Sequence, residues 1–356
     1  MIRNMTLGTI LVLWGAAASA QSSVTIYGLL DIGVAHGAGS GAGATSRTQL
    51  SSGNTQGSRL GMRGVEVLGA GYSAGFNLES GISLDTGEIG LTNSNNQSNG
   101  SAAGFWGRRS TISLFSPWGE LRVGRDFSTQ YRNRVEVDPF GSAGIGAIQP
   151  FVGSLGGVVS TRVSNMLAYH FPADLGGFYG QAQIYFGENA SGQADSGAGN
   201  GRNIRVGYVA GPMNASASAA RTRYPSTATT GDISSQSIAL QYRMGHFNWM
   251  TGFYRDAVAR STGTLVGRGW TVGAVAQLQG QRFKAALSKY QQNLGSKPAT
   301  SKLSLGWEHP LSKRTSVYGD LAFVKNAGGA ATSLAQSTTA ANASSRGVDV
   351  GIKHVF

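Results

Sequence analysis

The sequence has no cysteine and few charged residues. Without cysteine, the chain can form no disulfide scaffold, thiolate metal site or cysteine nucleophile. Charged residues make up 13% of the chain, about half the usual share in soluble domains. They are nevertheless biased in sign, since 29 Lys and Arg against 17 Asp and Glu give a net charge of +12. An ordinary cytoplasmic enzyme does not combine these properties, and 40% hydrophobic residues exclude a disordered chain.

Long hydrophobic runs are also missing after residue 20. A helix needs roughly 20 consecutive apolar residues to cross a bilayer, and no later stretch of the sequence comes near that length. Eight prolines and 54 glycines disfavour long helices of any kind. The chain is therefore expected to be built from β-strands.

Residues 1–20 are typical of an export signal. Arg3 precedes an apolar segment from Leu7 to Ala17, and Ala18-Ser19-Ala20 is a cleavage site of the small-x-small kind. We expect residues 1–20 to be a cleaved signal peptide and residues 21–356 to form a single domain outside the cytoplasm.

What is present after the signal is alternation of apolar and polar residues. From Tyr72 to Leu84, most even-numbered positions are apolar and most odd-numbered ones polar, which is the two-residue period of a β-strand. The pattern predicts sixteen strands, near 23–34, 57–68, 71–84, 104–115, 119–126, 163–171, 177–187, 202–210, 213–223, 235–244, 246–256, 268–279, 281–290, 300–309, 314–325 and 346–356.

The connections between these strands alternate in length. Short breaker-rich turns such as Pro117-Trp118-Gly119 and Gly211-Pro212 follow every second strand, whereas long polar segments such as Ala35 to Gly57 separate the others. This layout indicates a transmembrane barrel with short turns at the periplasmic end. A secreted β-sandwich also alternates, but the predicted polar face carries more ionisable residues than a dry core could hold.

Several stretches resemble the general diffusion porins of Gram-negative bacteria, in particular their betaproteobacterial branch. They are SSVTIYGLLDIGV at 22–34, GSRLGMRGVEVLGAGYSAGFNLESGISLDTG at 57–87, ELRVGRDFSTQY at 120–131, DPFG at 138–141 and GVDVGIKHVF at 347–356. The resemblance implies an all-β fold, a sixteen-stranded antiparallel barrel with its third loop, about 126–163, folded into the pore. It also implies the outer membrane as location.

The resemblance further implies partners. Such porins are homotrimers, so the second loop, about 85–103, is expected to contact a neighbouring subunit, although TNSNNQSNGSAAG is a bland sequence for that role. The terminal Phe356 resembles the signal read by the barrel-assembly machinery. Outer-membrane lipid and lipopolysaccharide are the expected surroundings, and small hydrophilic solutes and anions the expected cargo.

In these porins, arginines on the barrel wall face carboxylates of the third loop at the constriction, the narrowest part of the pore. The wall positions match Arg59, Arg63, Arg125 and Arg162, and the loop carboxylates match Glu136 and Asp138. The strand period itself places Arg59, Arg63 and Arg109 in the lumen, but it places Arg125 on the outward phase of Leu121 and Val123. We keep Arg125 as luminal because the strand is breaking there. Arg132 and Arg134 add positive charge to the third loop.

The expected function is passive diffusion with a preference for anions, since rings of Arg or Lys favour them. The alternatives are a porin selective for one anion or sugar, and an outer-membrane adhesin or structural barrel. No enzymatic activity, cofactor, metal site or nucleic-acid partner is expected: the five histidines lack zinc-ligand spacing, and no phosphate-binding glycine motif occurs.

Overall fold

The structure, a computed structural model, describes residues 23–97, 102–149, 152–155 and 161–356. The expected signal peptide, residues 1–20, lies outside the described residues. The strands are β1 (Ser23–Gly39), β2 (Ser46–Ser52), β3 (Arg59–Gly69), β4 (Tyr72–Gly81), β5 (Leu91–Thr92), β6 (Ala102–Ala103), β7 (Arg109–Ser116), β8 (Gly119–Phe127), β9 (Arg162–His170), β10 (Phe178–Tyr185), β11 (Gly201–Ala210), β12 (Met213–Thr222), β13 (Asp232–Met244), β14 (Phe247–Arg260), β15 (Gly263–Leu278), β16 (Gln281–Gln292), β17 (Ala299–Pro310), β18 (Thr315–Ala327) and β19 (Ser344–Val355). One helix, α1 (Thr129–Val135), and two 3₁₀ turns, Ser94–Asn96 and Val152–Leu155, complete the described elements.

The strands close into a ring of antiparallel neighbours. The last strand, β19, pairs with β1 from Leu29↔Val355 to Gly39↔Ser345, which closes the ring. Strands β2 and β3 occupy one position, because both pair with successive halves of β1. The short β5–β6 pair lies in a separate sheet, so the ring has sixteen positions. The predicted sixteen-stranded antiparallel barrel is confirmed.

Each strand turns its apolar residues outward and its polar residues into the ring. On β17, Leu303 and Leu305 are 42% and 43% exposed, whereas Lys302 and Ser304 between them are 2% and 1% exposed. This is the reverse of a soluble sandwich, whose apolar side chains face each other. An outer face of this kind is suited to lipid and an inner face to water. No helix among the described residues is long and apolar enough to cross a membrane.

The first loop differs from the prediction, which placed residues 35–57 in a polar loop. In the structure, β1 continues to Gly39 and β2 returns beside it. The hairpin also pairs with the last loop, where Thr45 N donates to Thr338 O at 3.2 Å. Backbone pairing of small and hydroxylated residues needs no apolar alternation, so the period could not reveal this extension.

The third loop follows the inside of the ring. Ser128 caps α1 by accepting a hydrogen bond from Tyr131 N, and α1 lies against β10–β13. Val137 and Ile148 then pack with Tyr254 of β14. Ile145 packs further round the ring, with Ala322 and Val324 of β18. The loop therefore lines the wall formed by β10–β19, and this places its edge opposite β3, β4 and β7.

Candidate pore constriction

The inner wall of β3, β4 and β7 carries arginines that share one carboxylate. Glu79 lies 2.7 Å from Arg108 Nε and 3.6 Å from Arg59 Nε. Arg63 is exposed and its guanidinium lies 5.4 Å from the centre of the Tyr27 ring. Among the described residues, Arg63 has no carboxylate within 4 Å. This part of the wall therefore carries more positive than negative charge.

A second carboxylate, Asp126 at the end of β8, serves three further arginines. Arg109 Nε lies 2.9 Å from it, Arg122 Nη1 2.5 Å and Arg132 Nη2 3.1 Å. Asp126 is 1% exposed, so its charge is enclosed by these groups. Arg132 comes from α1, and the shared carboxylate therefore joins the third loop to the wall. Burial lowers the pKa of the Arg132 guanidinium, and Asp126 beside it opposes that shift.

Phe127 provides an aromatic surface for the same group of arginines. Arg162 of β9 lies 4.4 Å from the ring centre, Arg132 5.5 Å and Arg109 6.0 Å. Arg162 also donates from Nε to the carbonyl of Arg108 at 2.7 Å. Contacts with an aromatic face and a carbonyl hold a guanidinium in place without neutralising it. The field of Arg162 therefore remains available to a passing ion.

On this side of the pore, arginines outnumber acidic residues. We call its seven arginines the basic wall. Its acids are Glu79, Asp126 and Glu120, the last paired with Arg122 at 2.7 Å. Charges lining a narrow aqueous pore with low-dielectric walls produce a focused field. The seven arginines of the basic wall are Arg59, Arg63, Arg108, Arg109, Arg122, Arg132 and Arg162.

Arg125 is placed differently from the expectation. It pairs in register with Ser110, and an irregularity in the pairing of β8 with β9 lies between Gly124 and Asp126. Its guanidinium donates to the carbonyls of Gly107 and Asn93 and to Ser164 Oγ. These contacts hold the second loop to the barrel, so we attribute to Arg125 a role in positioning that loop.

The second loop was expected to reach a neighbouring subunit, but its described part contacts its own barrel. Asn96 Nδ2 donates to the carbonyls of Ser164 and Phe186, each at 3.0 Å, and Asn96 Oδ1 accepts from Ser164 N at 2.7 Å. Residues 98–101, within the predicted contact segment, lie outside the described residues.

On the opposite wall, two charged residues of the third loop each have an oppositely charged partner of their own. Arg134 of α1 is 4% exposed and forms an ion pair with Asp256 of β14. Glu136 pairs with Arg205 of β11. The expectation that Arg134 adds free positive charge to the pore is therefore corrected: the helix turns this side chain toward the wall, where Asp256 neutralises it.

The two predicted loop carboxylates have different surroundings. Glu136 is about a third exposed (34%) beside Arg205. Asp138 is 4% exposed and accepts hydrogen bonds from the backbone amides of Phe140, Ser142 and Ile148 at 2.8–3.1 Å. Burial raises the pKa of the Asp138 carboxyl, against the lowering effect of these amides. Asp138 was expected to face the pore, but the structure places it inside the loop, where it stabilises the turn.

Sequence reasoning missed Arg108 and Asp126. Arg108 lies just before β7, where the two-residue period does not apply, and its side chain reaches Glu79 inside the ring. Asp126 directly follows Arg125, and the irregular pairing after Gly124 determines its direction. The available signal in both cases was a pair of adjacent charged residues, Arg108-Arg109 and Arg125-Asp126. Among the described residues, no group of three or more His, Asp or Glu could hold a metal ion.

Comparison with known proteins places these features in context. A family model described as Gram-negative porin matches residues 8–329. Outer membrane porin protein 32 of Delftia acidovorans is 34% identical over 96% of both chains, and an outer membrane porin protein of Bordetella pertussis is 27% identical over the full length of both. A solved structure, the anion-selective porin from Comamonas acidovorans, is similar with a TM-score of 0.80 and 31% identity, covering 94% of this chain and all of that one.

Proposed function

The chain belongs to the family of Gram-negative porins and is an outer membrane porin, and we propose that its pore prefers anions because of the basic wall. Passive diffusion needs an open aqueous path and no chemical step. The channel's residues then act by attracting, repelling and positioning ions as they pass. The described similarities are to channels, and we propose no enzymatic activity.

The observation that carries the proposal is the unequal pairing of the two walls. Five of the seven arginines of the basic wall share three carboxylates, and the other two, Arg63 and Arg162, have none within 4 Å among the described residues. On the other wall, Arg134, Arg205 and Lys284 each have a carboxylate partner of their own. The excess is therefore local to one side of the pore. Unit charges lying within about one Debye length, roughly 8 Å at physiological salt, act together on an ion. The similar Comamonas structure is described as anion-selective, which supports the same reading here.

Reversal potential in a planar bilayer tests the selectivity. With a salt gradient across the refolded channel, an anion preference sets a potential of the sign expected for chloride. A potential of the opposite sign at neutral pH would contradict the proposal.

Small neutral solutes are also proposed to pass. A hollow of about 860 Å³ beside the third loop is lined by uncharged hydroxyl and amide side chains, including Ser142, Gln149, Gln292 and Thr300. Uncharged polar groups offer hydrogen bonds without a field, so they are compatible with sugars. Liposome swelling with sugars of increasing size measures this passage. Saturable block of ion current by one sugar would instead favour a sugar-selective porin.

The same family membership supports a proposal for the assembly. We propose a homotrimer in the outer membrane, surrounded by lipid and lipopolysaccharide, with Phe356 as the signal for the barrel-assembly machinery. We also propose a single barrel of residues 21–356 after removal of residues 1–20, with 126–163 as the constriction loop. The exchange of backbone hydrogen bonds between Phe356 and Gly28, at 3.0 and 3.1 Å, supports a role of the last residue in closing the ring.

A further inference from the structure

Phe127 differs from the other aromatic residues inside the ring in the number of cations that it contacts. Three guanidiniums lie near the centre of its ring, those of Arg162 at 4.4 Å, Arg132 at 5.5 Å and Arg109 at 6.0 Å. The other cation contacts of aromatic rings in the described ranges involve one cation each, at Tyr27, Phe140, Tyr179 and Tyr254. Phe127 is therefore a contact that several arginines share.

The three arginines come from three different elements. Arg109 is the first residue of β7, Arg162 the first residue of β9, and Arg132 lies on α1 of the third loop. Phe127 is the last residue of β8 and pairs in register with Arg162. One ring thus joins two strands of the wall to the helix that enters the pore.

The Phe127 ring is itself held in place. Its backbone carbonyl accepts a hydrogen bond from Gln183 Nε2 at 3.0 Å, and its amide donates to Asp126 Oδ1 at 2.7 Å. The ring stacks on Tyr131, with 5.2 Å between the ring centres and 17° between the ring planes. Ser128, the next residue, caps α1. A ring fixed in this way can determine where long, flexible arginine side chains lie.

Arg162 depends on this ring more than the other two arginines do. Arg109 and Arg132 also bind the carboxylate of Asp126, at 2.9 Å and 3.1 Å. Arg162 has no carboxylate within 4 Å among the described residues, and its guanidinium donates to the carbonyl of Arg108. The aromatic face is therefore a main contact that keeps Arg162 at its position.

The same arrangement recurs at the other arginine of the basic wall that lacks a carboxylate. Arg63 lies over the ring of Tyr27, at 5.4 Å from its centre. In the described part of the chain, both arginines without a carboxylate within 4 Å are thus in contact with an aromatic ring. At these two positions a neutral ring occupies the place that a carboxylate has beside the other arginines.

A ring and a carboxylate hold a guanidinium with different electrostatic consequences. The carboxylate cancels the charge, whereas the quadrupole of a neutral ring attracts the cation and adds no net charge. Without the ring, Arg162 would be repelled by the neighbouring guanidiniums and attracted to Glu79 or Asp126. An ion pair with either carboxylate would cancel its field in the pore. The ring prevents this neutralisation by holding the side chain elsewhere.

We propose that Phe127 is a positioning residue that sets the strength of the anion preference. Its aromatic face holds Arg162, and with it Arg109 and Arg132, at the edge of the pore and leaves the charge of Arg162 uncompensated. Phe127 itself acts on ions only through these arginines. The inference rests on the proposed anion preference of the pore.

Reversal potential in planar bilayers tests the role of the ring, at a mean salt concentration of about 0.1 M, where screening is weak. Phe127→Leu removes the aromatic face, Phe127→Tyr retains it, and trifluorophenylalanine at position 127 keeps the shape but withdraws the negative charge of the face. We expect the leucine and trifluorophenylalanine variants to lower the anion-to-cation permeability ratio by about two- to fivefold, the effect of losing one cation–ring contact. The tyrosine variant should keep the ratio of the wild type.

A second measurement asks whether Phe127 acts through Arg162. In an Arg162→Gln background, Phe127→Leu should change the permeability ratio much less than in the wild type, because the main cation that the ring holds is absent. Phe253→Leu is the matched control. It makes the same substitution on the outer face, where Phe253 is 58% exposed, and the ratio should stay unchanged.

Two outcomes would overturn the proposal. One is a wild-type ratio in the trifluorophenylalanine variant, which has the size of phenylalanine and so tests the face even if Phe127→Leu does not fold. The other is an equal effect of Phe127→Leu with and without Arg162. A cation-preferring wild type would contradict the proposed function itself, whereas an anion-preferring wild type with an unaffected trifluorophenylalanine variant would contradict the role of Phe127 alone.

Discussion

At the residue scale, the field in the pore depends on which arginines have a carboxylate to themselves. Arg63 has none within 4 Å among the described residues, and Arg59 shares Glu79 with Arg108. Asp126 is divided among three arginines. A shared carboxylate neutralises at most one of its partners, so the remaining charge acts on ions. Arg63 is therefore expected to matter more than Arg59.

Replacing Arg63 should reduce the anion preference. A unit charge about 10 Å away in water changes an ion's energy by roughly 0.4 kcal/mol before screening, about twofold in occupancy and opposite for anion and cation. We expect Arg63→Gln to lower the anion-to-cation permeability ratio by about two- to fourfold, and Arg59→Gln to lower it less. Reversal potential measures both. Lys313→Gln, in a turn, is the control. An unchanged permeability ratio in Arg63→Gln would show that Arg63 does not act at the constriction.

Replacing Arg134 should destabilise the barrel without changing selectivity much. Arg134→Met leaves Asp256, which is 0% exposed, without its cation, and unpairing a buried charge costs about 3–5 kcal/mol. The double variant Arg134→Met/Asp256→Asn removes both charges and should recover much of the lost stability. The temperature at which the folded barrel converts to the unfolded band on a gel measures the difference. Equal stability of the single and double variants would contradict the pairing.

The sequence predicted some of these residues and not others for a physical reason. Arg59 lies on a regular strand, where every second side chain points inward, so its direction follows from the period. Arg134 lies on a helix within the loop, and its direction depends on how that helix packs against β10–β13. Asp138 is enclosed by amides that its own turn brings together. Directions fixed by packing could not be read from the period.

At the element scale, the third loop stays inside the ring because it packs closely on the wall. Val137 lies against the strand at Gly252 of β14, where a Cβ would be 2.9 Å from Val137 Cγ2 and 2.8 Å from Tyr254 Cζ. Glycine at this position allows the loop to approach the strand. The free path of the pore therefore depends on a residue without a side chain.

Substituting Gly252 should move the loop toward the pore. In Gly252→Val, the new side chain displaces Val137 and narrows the channel, so single-channel conductance should fall. A loosened loop would instead raise the conductance. Gly295→Val is the control, because a Cβ there has no heavy atom within 4 Å. Unchanged conductance in Gly252→Val, in a barrel that remains folded, would show that the loop does not depend on this contact.

The strands were the most predictable elements. All sixteen ring positions were expected from alternation, since lipid on one side and water on the other impose a strict period. The segment Ser46–Ser52 was not, because it pairs beyond the apolar outer face, where neither side needs to be apolar. Alternation therefore predicts the part of a barrel inside the membrane and not its extensions.

At the scale of the whole molecule, the net charge of +12 is divided among three environments. Part of it lies in the basic wall, part is neutralised by pairs such as Arg134–Asp256, and part lies on exposed residues of the outer face such as Arg268 and Arg346. Only the first acts directly on ions in the constriction. Net charge alone is therefore a poor guide to selectivity, and the position of each uncompensated arginine is a better one.

This division predicts how selectivity depends on salt. The Debye length falls from about 10 Å at 0.1 M to about 3 Å at 1 M, so a preference produced by the field of the basic wall should weaken over that range. Reversal potentials at a fixed concentration ratio, measured from low to high mean salt, give the permeability ratio directly. We expect the anion-to-cation permeability ratio to decline steadily with salt, toward the ratio of the two ions' mobilities in free solution. A ratio that stays constant would mean that anions are selected by direct contact with a dehydrated site, which screening affects far less, and the pore would then be selective for a particular anion rather than general.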